Sequence, residues 1–276
     1  MDKPLQDILT GIADGNGRIT VLTGAGISAE SGIPTFRGPE GYWTVGSREY
    51  HPQEMATYEM FVQNPDEVWK WYLYRMGVCQ RAQPNAGHRA IAELERLFED
   101  RFTLITQNVD GLHLRAGNSL ERTYQIHGNV FFMRCFRECS DRFYPIAKEV
   151  RPKSKGEKLT DEDRRLLRCP QCGAASRPHI LWFDETYNEV HYRYDSSLKA
   201  ASETALLLIV GTSGATHLPN QVAWTAARQK AMIIDVNIEE NPFSALAIQS
   251  NGRFIRSASG AALPEIAQVM KKALNR

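Results

Sequence analysis

One stretch constrains the chain more than any other, Arg18-Ile-Thr-Val-Leu-Thr-Gly-Ala-Gly-Ile-Ser-Ala-Glu-Ser-Gly-Ile-Pro-Thr-Phe-Arg-Gly38. It opens with the short β-branched run Ile19 to Leu22, breaks at Gly24-Ala25-Gly26 and continues in small residues. A buried strand, a glycine turn and a helix start, in that order, are how an α/β sheet cradles a pyrophosphate. Gly24 permits the tight turn, and Gly26 lets backbone N–H groups approach phosphate. Ala29 stands where the dinucleotide fingerprint takes Gly or Ala for close packing.

The continuation narrows the reading. Ser31, Gly32 and Pro34 cut off a long helix, and Phe36-Arg37 fall on a loop beside the cofactor. Gly24-Ala-Gly-Ile-Ser28 with Gly32-Ile-Pro-Thr-Phe-Arg37 resembles the signature of the sirtuins, NAD-dependent protein lysine deacylases. The resemblance implies an α/β fold: a Rossmann-like parallel sheet with a smaller lobe, made of a zinc-binding module and a helical insertion.

The rest of the chain is compatible with that. With 276 residues there is room for one large domain or two small ones. Hydrophobic residues make up 42% and charged residues 24%, an ordinary globular balance. A net charge of +1 gives no electrostatic reason to expect a nucleic-acid partner. No apolar run reaches bilayer length, and Met1-Asp-Lys-Pro does not open a secretory signal. Four of the five cysteines fall in two close pairs, which favours a metal site and a reducing, cytoplasmic setting.

Leu5, Ile8, Leu9 and Ile12 predict an amphipathic helix over 4–13. Residues 53–62 and 66–80 read as two helices separated by Asn64-Pro65, an insertion that interrupts the α/β alternation. Asn85 reads as the N-cap of a helix from Ala86 to about Phe98. The expected division is a nucleotide domain from 1–37, 84–129 and 177–276, a helical module at 38–83 and a zinc module at 130–176.

Phe102-Thr-Leu-Ile-Thr106 is a second buried strand, running into Gln107-Asn-Val-Asp-Gly111. Polar residues at the carboxyl end of a parallel strand sit where ligands bind. The sirtuin motif Thr-Gln-Asn-x-Asp-Gly matches here, so Gln107, Asn108 and Asp110 are expected at the nucleotide. Thr123-Tyr-Gln-Ile-His-Gly128 matches the segment whose histidine is the family's base, which implies that role for His127. By the same resemblance, NAD lies near Gly24, Ala25, Gly26, Ser28, Ala29, Phe36 and Arg37. Asn108 and Asp110 face the departing nicotinamide, and His127 deprotonates a ribose hydroxyl. The products implied are nicotinamide, free lysine and an O-acyl-ADP-ribose.

Cys135-x3-Cys139 and Cys169-x2-Cys172 are separated by 29 residues. Four thiolates with no histidine point to a closed, structural Zn2+ site. The intervening Lys148 to Arg168 is charged and poor in large apolar residues, and is expected to be exposed and mobile. Cys79 reads as a buried small hydrophobe.

Arg177-Pro-His-Ile-Leu-Trp-Phe-Asp-Glu185 resembles the sirtuin segment that pairs with an extended acyl-lysine peptide, which implies substrate contacts from Ile180, Trp182 and Phe183. The family pattern has glycine where this chain has Asp184, placing a side chain near the peptide path. Ala205 to Val210 and Met232 to Val236 read as buried strands. Their loops offer Gly211, Thr212 and Ser213, and Asn237 and Glu239, to phosphate and adenosine ribose. Phe254-Ile-Arg256 is a last short strand. Gly260 completes the nucleotide contacts, and a helix is expected to start near Pro264.

Tyr72 and Arg75 share a face of the predicted 66–80 helix. A sirtuin branch that prefers succinyl, malonyl and glutaryl groups carries Tyr-x-x-Arg here. Arginine pairs bidentately with a distal carboxylate, and tyrosine adds a hydrogen bond. Members of that branch place a small Ala where this chain has Met60. Two other readings use the same residues: NAD-dependent ADP-ribosyl transfer to protein, and a non-catalytic NAD or ADP-ribose sensor. The second has no need of a base such as His127.

Overall fold

The structure is a computed structural model and describes residues 2–34, 43–45, 48–250 and 252–275. Phe36 and Arg37 lie outside the described residues.

Helix α1 (Lys3–Asp14) starts where the Asp2 carboxylate accepts from Leu5 N–H, and it buries Leu5, Leu9 and Ala13. Strand β1 (Arg18–Thr23) leads into a single helical turn, α2 (Gly26–Ala29). The small elements β2 (Trp43–Val45) and β3 (Arg48–Tyr50) pair antiparallel. The first inserted helix is broken in two, α3 (Pro52–Met55) and α4 (Tyr58–Gln63). Thr57 causes the break, because its hydroxyl accepts from Met60 N–H and caps α4. Helix α5 (Pro65–Arg81) follows with proline in its first turn. Helix α6 (Ala86–Phe98) starts at Asn85, whose side chain accepts from Gly87 and His88 N–H.

Strand β4 (Phe102–Thr106), the short α7 (Leu112–Ala116) and β5 (Thr123–Gln125) close the first half of the sheet. A separate antiparallel sheet has the order β7–β6–β8, formed by β6 (Gly128–Cys135), β7 (Phe143–Pro145) and β8 (Ser176–Ile180). Helix α8 (Asp161–Leu166) lies between β7 and β8. The chain then runs through α9 (Glu189–Tyr192), α10 (Tyr194–Glu203), β9 (Thr204–Val210) and α11 (His217–Arg228). It ends with β10 (Met232–Asn237), α12 (Pro242–Gln249), β11 (Arg253–Arg256) and α13 (Ser259–Leu274).

The large sheet is parallel throughout, in the order β11–β10–β9–β1–β4–β5. Counting only its own strands, this is the doubly wound order 3-2-1-4-5-6, with the switch point between β1 and β9. One face packs on α1, α6 and α13, where Leu9, Ile91, Leu208 and Ile266 are fully buried. The other packs on α10, α11 and α12 through Leu22, Ile209, Val222 and Phe243. The small lobe has its own core of Trp69, Trp71, Tyr72, Met133 and Trp182.

One expectation is qualified and one corrected. The segment 148–168 is exposed over most of its length, as expected, but it is pinned to the lobe at a few residues. Val150, Leu159 and Leu167 join the small-lobe core, and Lys153 forms a buried ion pair with Asp163 at 2.8 Å. Helix α13 begins at Ser259, five residues before Pro264, because the Glu30 carboxylate accepts from Ser259 Oγ and Gly260 N–H and holds the first turn. Cys79 is buried, as its helical setting implies.

Candidate active site

Register brings the site together. Thr23 pairs with Thr106 on one side and Val210 on the other, and Thr106 pairs with Gln125. Four strands therefore end in line, and the residues that follow them share one edge. A hydroxyl contact at 2.8 Å between Thr23 and Thr106 and one at 3.0 Å from Thr23 to His113 Nε2 tie that edge together.

The two glycine turns meet at the switch point. Gly26 N–H donates to the Gly211 carbonyl at 2.8 Å. A Cβ on Gly26 would come within 2.7 Å of Gly211 Cα, and one on Gly24 within 2.6 Å of Thr212 Cβ. The glycines are required first by contact between the two turns. The Gly26 amide is spent inside the protein. The Gly260 amide is likewise committed, to Glu30.

Asn108 and Asp110 are buried together around Ser28. Asn108 Nδ2 donates to the Gly24 carbonyl at 3.0 Å and to Ser28 Oγ at 3.1 Å. Ser28 Oγ donates to Asp110 Oδ2 at 2.7 Å, and Leu112 N–H donates to Oδ1 at 2.8 Å. Burial raises the Asp110 carboxyl above its ordinary range, and the hydrogen bonds from Ser28 and Leu112 oppose it. His88 lies behind Ser28, with Nε2 at 3.4 Å from its hydroxyl and its ring 4.8 Å from that of His113. His88 and His113 were not legible as site residues. The only sequence signal for His88 is its place three residues after the Asn85 cap.

His127 follows β5 and is half-buried. Burial lowers its pKa to about 4, against a hydrogen bond to the Gln107 backbone, so the ring is neutral at pH 7. Gly128 must be glycine, since at φ +85° a Cβ would sit 2.0 Å from the His179 carbonyl oxygen. His127 Nε2 is 2.7 Å from the Tyr187 hydroxyl, a residue that no motif singles out. Gln107 Nε2 donates to Thr212 Oγ1 at 2.8 Å, and Thr216 Oγ1 donates to Gln107 Oε1 at 2.9 Å. Asn237 Nδ2 donates to the Thr212 carbonyl at 3.0 Å. Ser213 and Glu239 are exposed on the same edge.

The expected substrate segment is braced from within. Trp182 is buried, its indole N–H donates to the Tyr72 hydroxyl at 3.1 Å, and Arg177 lies 3.4 Å over its ring. Arg177 also pairs with Glu185, with one N–H···O contact at 2.7 Å, and Glu185 accepts from Trp182 N–H. Leu181 N–H donates to the His127 carbonyl and Phe183 N–H to that of Ala56. Ile180 is buried and Phe183 exposed. The Asp184 carboxylate is engaged at a helix start. It accepts from Tyr58 and Glu59 N–H at 2.7 and 3.2 Å and caps α4. Tyr72 and Met60 are buried in the small-lobe core. The Arg75 guanidinium lies 5.3 Å from the Trp71 ring centroid, and burial lowers its pKa while Tyr72 and Asp110 oppose the shift.

The four thiols converge. Cys135 and Cys172 Sγ are 3.6 Å apart, as are Cys139 and Cys169 Sγ, and all four lie within 4.8 Å of one another. Sulfurs around one tetrahedral zinc at the usual Zn–S length stand ~3.8 Å apart. The donor set fits a closed Zn2+ site with no position open for water.

A doubly wound sheet with paired glycine turns at its switch point defines a dinucleotide-binding α/β protein, here with a four-thiol module beside it. The chain belongs to the Sir2 family, whose model matches residues 24–217. An NAD-dependent protein deacylase from Leptospira interrogans serogroup Icterohaemorrhagiae serovar Lai (strain 56601) is 37% identical over 262 residues, covering 95% of this chain and 96% of that protein. A Sir2 homologue solved as an NAD complex matches with TM-score 0.79 and 32% identity, covering 99% of this chain and 95% of the other. A mutant Sir2 homologue bound to 2′-O-acetyl ADP ribose matches with TM-score 0.79 and 31% identity, covering 100% and 99%.

Proposed function

We infer that this protein removes acyl groups from protein lysines with NAD, releasing nicotinamide and an O-acyl-ADP-ribose, and that it prefers short acidic acyl groups. The observation that carries the deacylase reading is the common edge: Asn108, Asp110 and His127 follow strands that end in register. NAD, when bound, supplies a ribosyl carbon whose bond to nicotinamide breaks. The nucleotide is assigned to the turn after β1 and the Gly211-Thr-Ser213 loop, whose packing leaves no room for side chains at Gly24 and Gly26. Asn108 and Asp110 place an oriented amide and a carboxylate where positive charge develops on the sugar. His127, neutral and with an acceptor nitrogen, takes the proton of a ribose hydroxyl. The small lobe and the 180–185 segment present the acyl-lysine.

The acyl preference rests on Tyr72 and Arg75. Tyr72 is a buried neutral phenol, and the buried Arg75 guanidinium is close enough to Tyr72 and Asp110 for both to hold its pKa up against burial. A distal carboxylate entering there would form a charge-assisted pair, worth more in a dry site than in water. Matched succinyl-, malonyl- and acetyl-lysine peptides test this by kcat/KM. Arg75→Met is expected to lower kcat/KM on the acidic peptides at least tenfold and on acetyl peptide less than threefold. Equal losses on all peptides, or a wild-type preference for acetyl, would reject the acidic preference. ADP-ribose left on protein would favour the transferase reading.

A further inference from the structure

Tyr187 belongs to no motif, yet among the described residues its hydroxyl is the side-chain group hydrogen-bonded to the base. It lies on the irregular segment between β8 and α9. A hydrogen bond with the Gln107 backbone holds the His127 pKa up, and we assign it to the ring's second nitrogen. A carbonyl there accepts, so that nitrogen carries the ring proton and Nε2 carries the lone pair. At 2.7 Å, the Tyr187 O–H donates into that lone pair. An imidazole nitrogen has one in-plane lone pair, so a second hydroxyl cannot approach it at hydrogen-bond distance while Tyr187 is there. The Tyr187 hydroxyl also contacts Thr216, whose own hydroxyl donates to Gln107, which donates to Thr212. A run of polar side chains therefore joins the base to the loop after β9.

We propose that the Tyr187 hydroxyl holds the place on His127 that a ribose hydroxyl takes during turnover, so that Tyr187 is a positioning residue which masks the base until nucleotide binding displaces it. The inference rests on the reading of His127 as the base. Displacement exchanges one hydroxyl on Nε2 for another, and the Thr216 hydroxyl is at hand for the released phenol. The mask taxes ligand affinity, because only the fraction of molecules with Tyr187 withdrawn is competent to bind. It also lowers the basicity of the unliganded ring, since a donor to the lone pair favours the neutral form. Tyr187, with Tyr194 behind it at a ring distance of 6.4 Å, is the titratable side chain facing His127, and no charged side chain among the described residues adds to its shift.

Tyr187→Phe removes one oxygen and keeps the ring. The His127 imidazole is followed by 15N NMR against pH, with and without ADP-ribose, beside steady-state kinetics on NAD. The expected result is an unliganded titration about one pH unit higher in Tyr187→Phe than in wild type, corresponding to one hydrogen bond. With ADP-ribose bound, the two titrations should coincide. KM for NAD should fall severalfold, with kcat within twofold. Identical unliganded titrations would overturn the proposal. So would a difference that persists with ADP-ribose, or a tenfold fall in kcat, which would place Tyr187 in turnover itself. His127→Asn separates the two readings: full turnover in that variant removes the base assignment, whatever Tyr187 does.

Discussion

Three neighbouring strands of the large sheet are buried without interruption from Ile19 to Thr23, Phe102 to Thr106 and Leu206 to Val210. The small lobe's comparable strand, buried from Ser176 to Ile180, carries Ser176, Arg177 and His179 within the run. Its apolar core is interleaved with directional pairs: Arg177 over Trp182 and against Glu185, Lys153 with Asp163, the Trp182 indole on Tyr72, and four thiols around one point. Continuous aliphatic burial is redundant, because the loss of one contact leaves many. A lobe built from directional pairs fails when one partner is removed, since the other is left buried and unsatisfied. The same feature makes it adjustable, and Tyr72, Arg75 and Met60, the residues assigned to acyl choice, lie there.

Metal removal should expose the difference most strongly. A structural zinc contributes about 10–16 kcal/mol in zinc-finger peptides. Chelation should therefore abolish turnover and shift the emission of Trp69, Trp71 and Trp182, while the far-ultraviolet signal of the large sheet persists. Zinc-free protein with full activity would show that the lobe holds without its thiol site.

The large-sheet side has a weakness of its own at low pH. His88 is fully buried and its pKa is lowered to about 4, chiefly by burial. A histidine depressed below its unfolded value costs nothing above the unfolded pKa, and it destabilises as pH falls toward the folded one. Between the unfolded value near 6.5 and pH 5 this amounts to about 2 kcal/mol. His88→Gln keeps a capping side chain at that position. It should flatten the fall in unfolding free energy over that range by a similar amount, measured by urea titration with zinc in excess. Parallel curves for the two proteins would exclude His88 as the source.

The smallest effect concerns the joint between the regions. Asp184 caps α4. Asp184→Ala should cost about 1 kcal/mol of stability or less. It should leave the ranking of acyl-peptides unchanged. A reordered ranking would put the carboxylate at the peptide after all.

What could be read in advance followed periodicity and spacing. The Ile19–Leu22 run, the glycine turn, the Asn85 cap and the two cysteine pairs are local signals, and each falls where its pattern indicates. What could not be read depended on partners far along the chain. Glu30 holds the start of α13 across 230 residues, and Val150, Leu159 and Leu167 pin a charged segment to a core that includes Trp69 and Trp71. Thr57 breaks a helix that hydropathy alone would continue, because a hydroxyl competing for backbone N–H groups leaves no periodic trace.

By itself the sequence determined the kinds of element and the chemistry they carry: parallel strands from β-branched runs, a nucleotide turn from closely spaced glycines, a metal module from paired thiols. Tertiary structure decided which of those groups are available. The Gly26 and Gly260 amides are spent inside the protein, Asp184 is turned onto a helix, and a tyrosine outside every motif rests on the imidazole. The reason is that a hydrogen-bonding group has few partners to give, and which neighbour takes them is settled only when distant segments pack together.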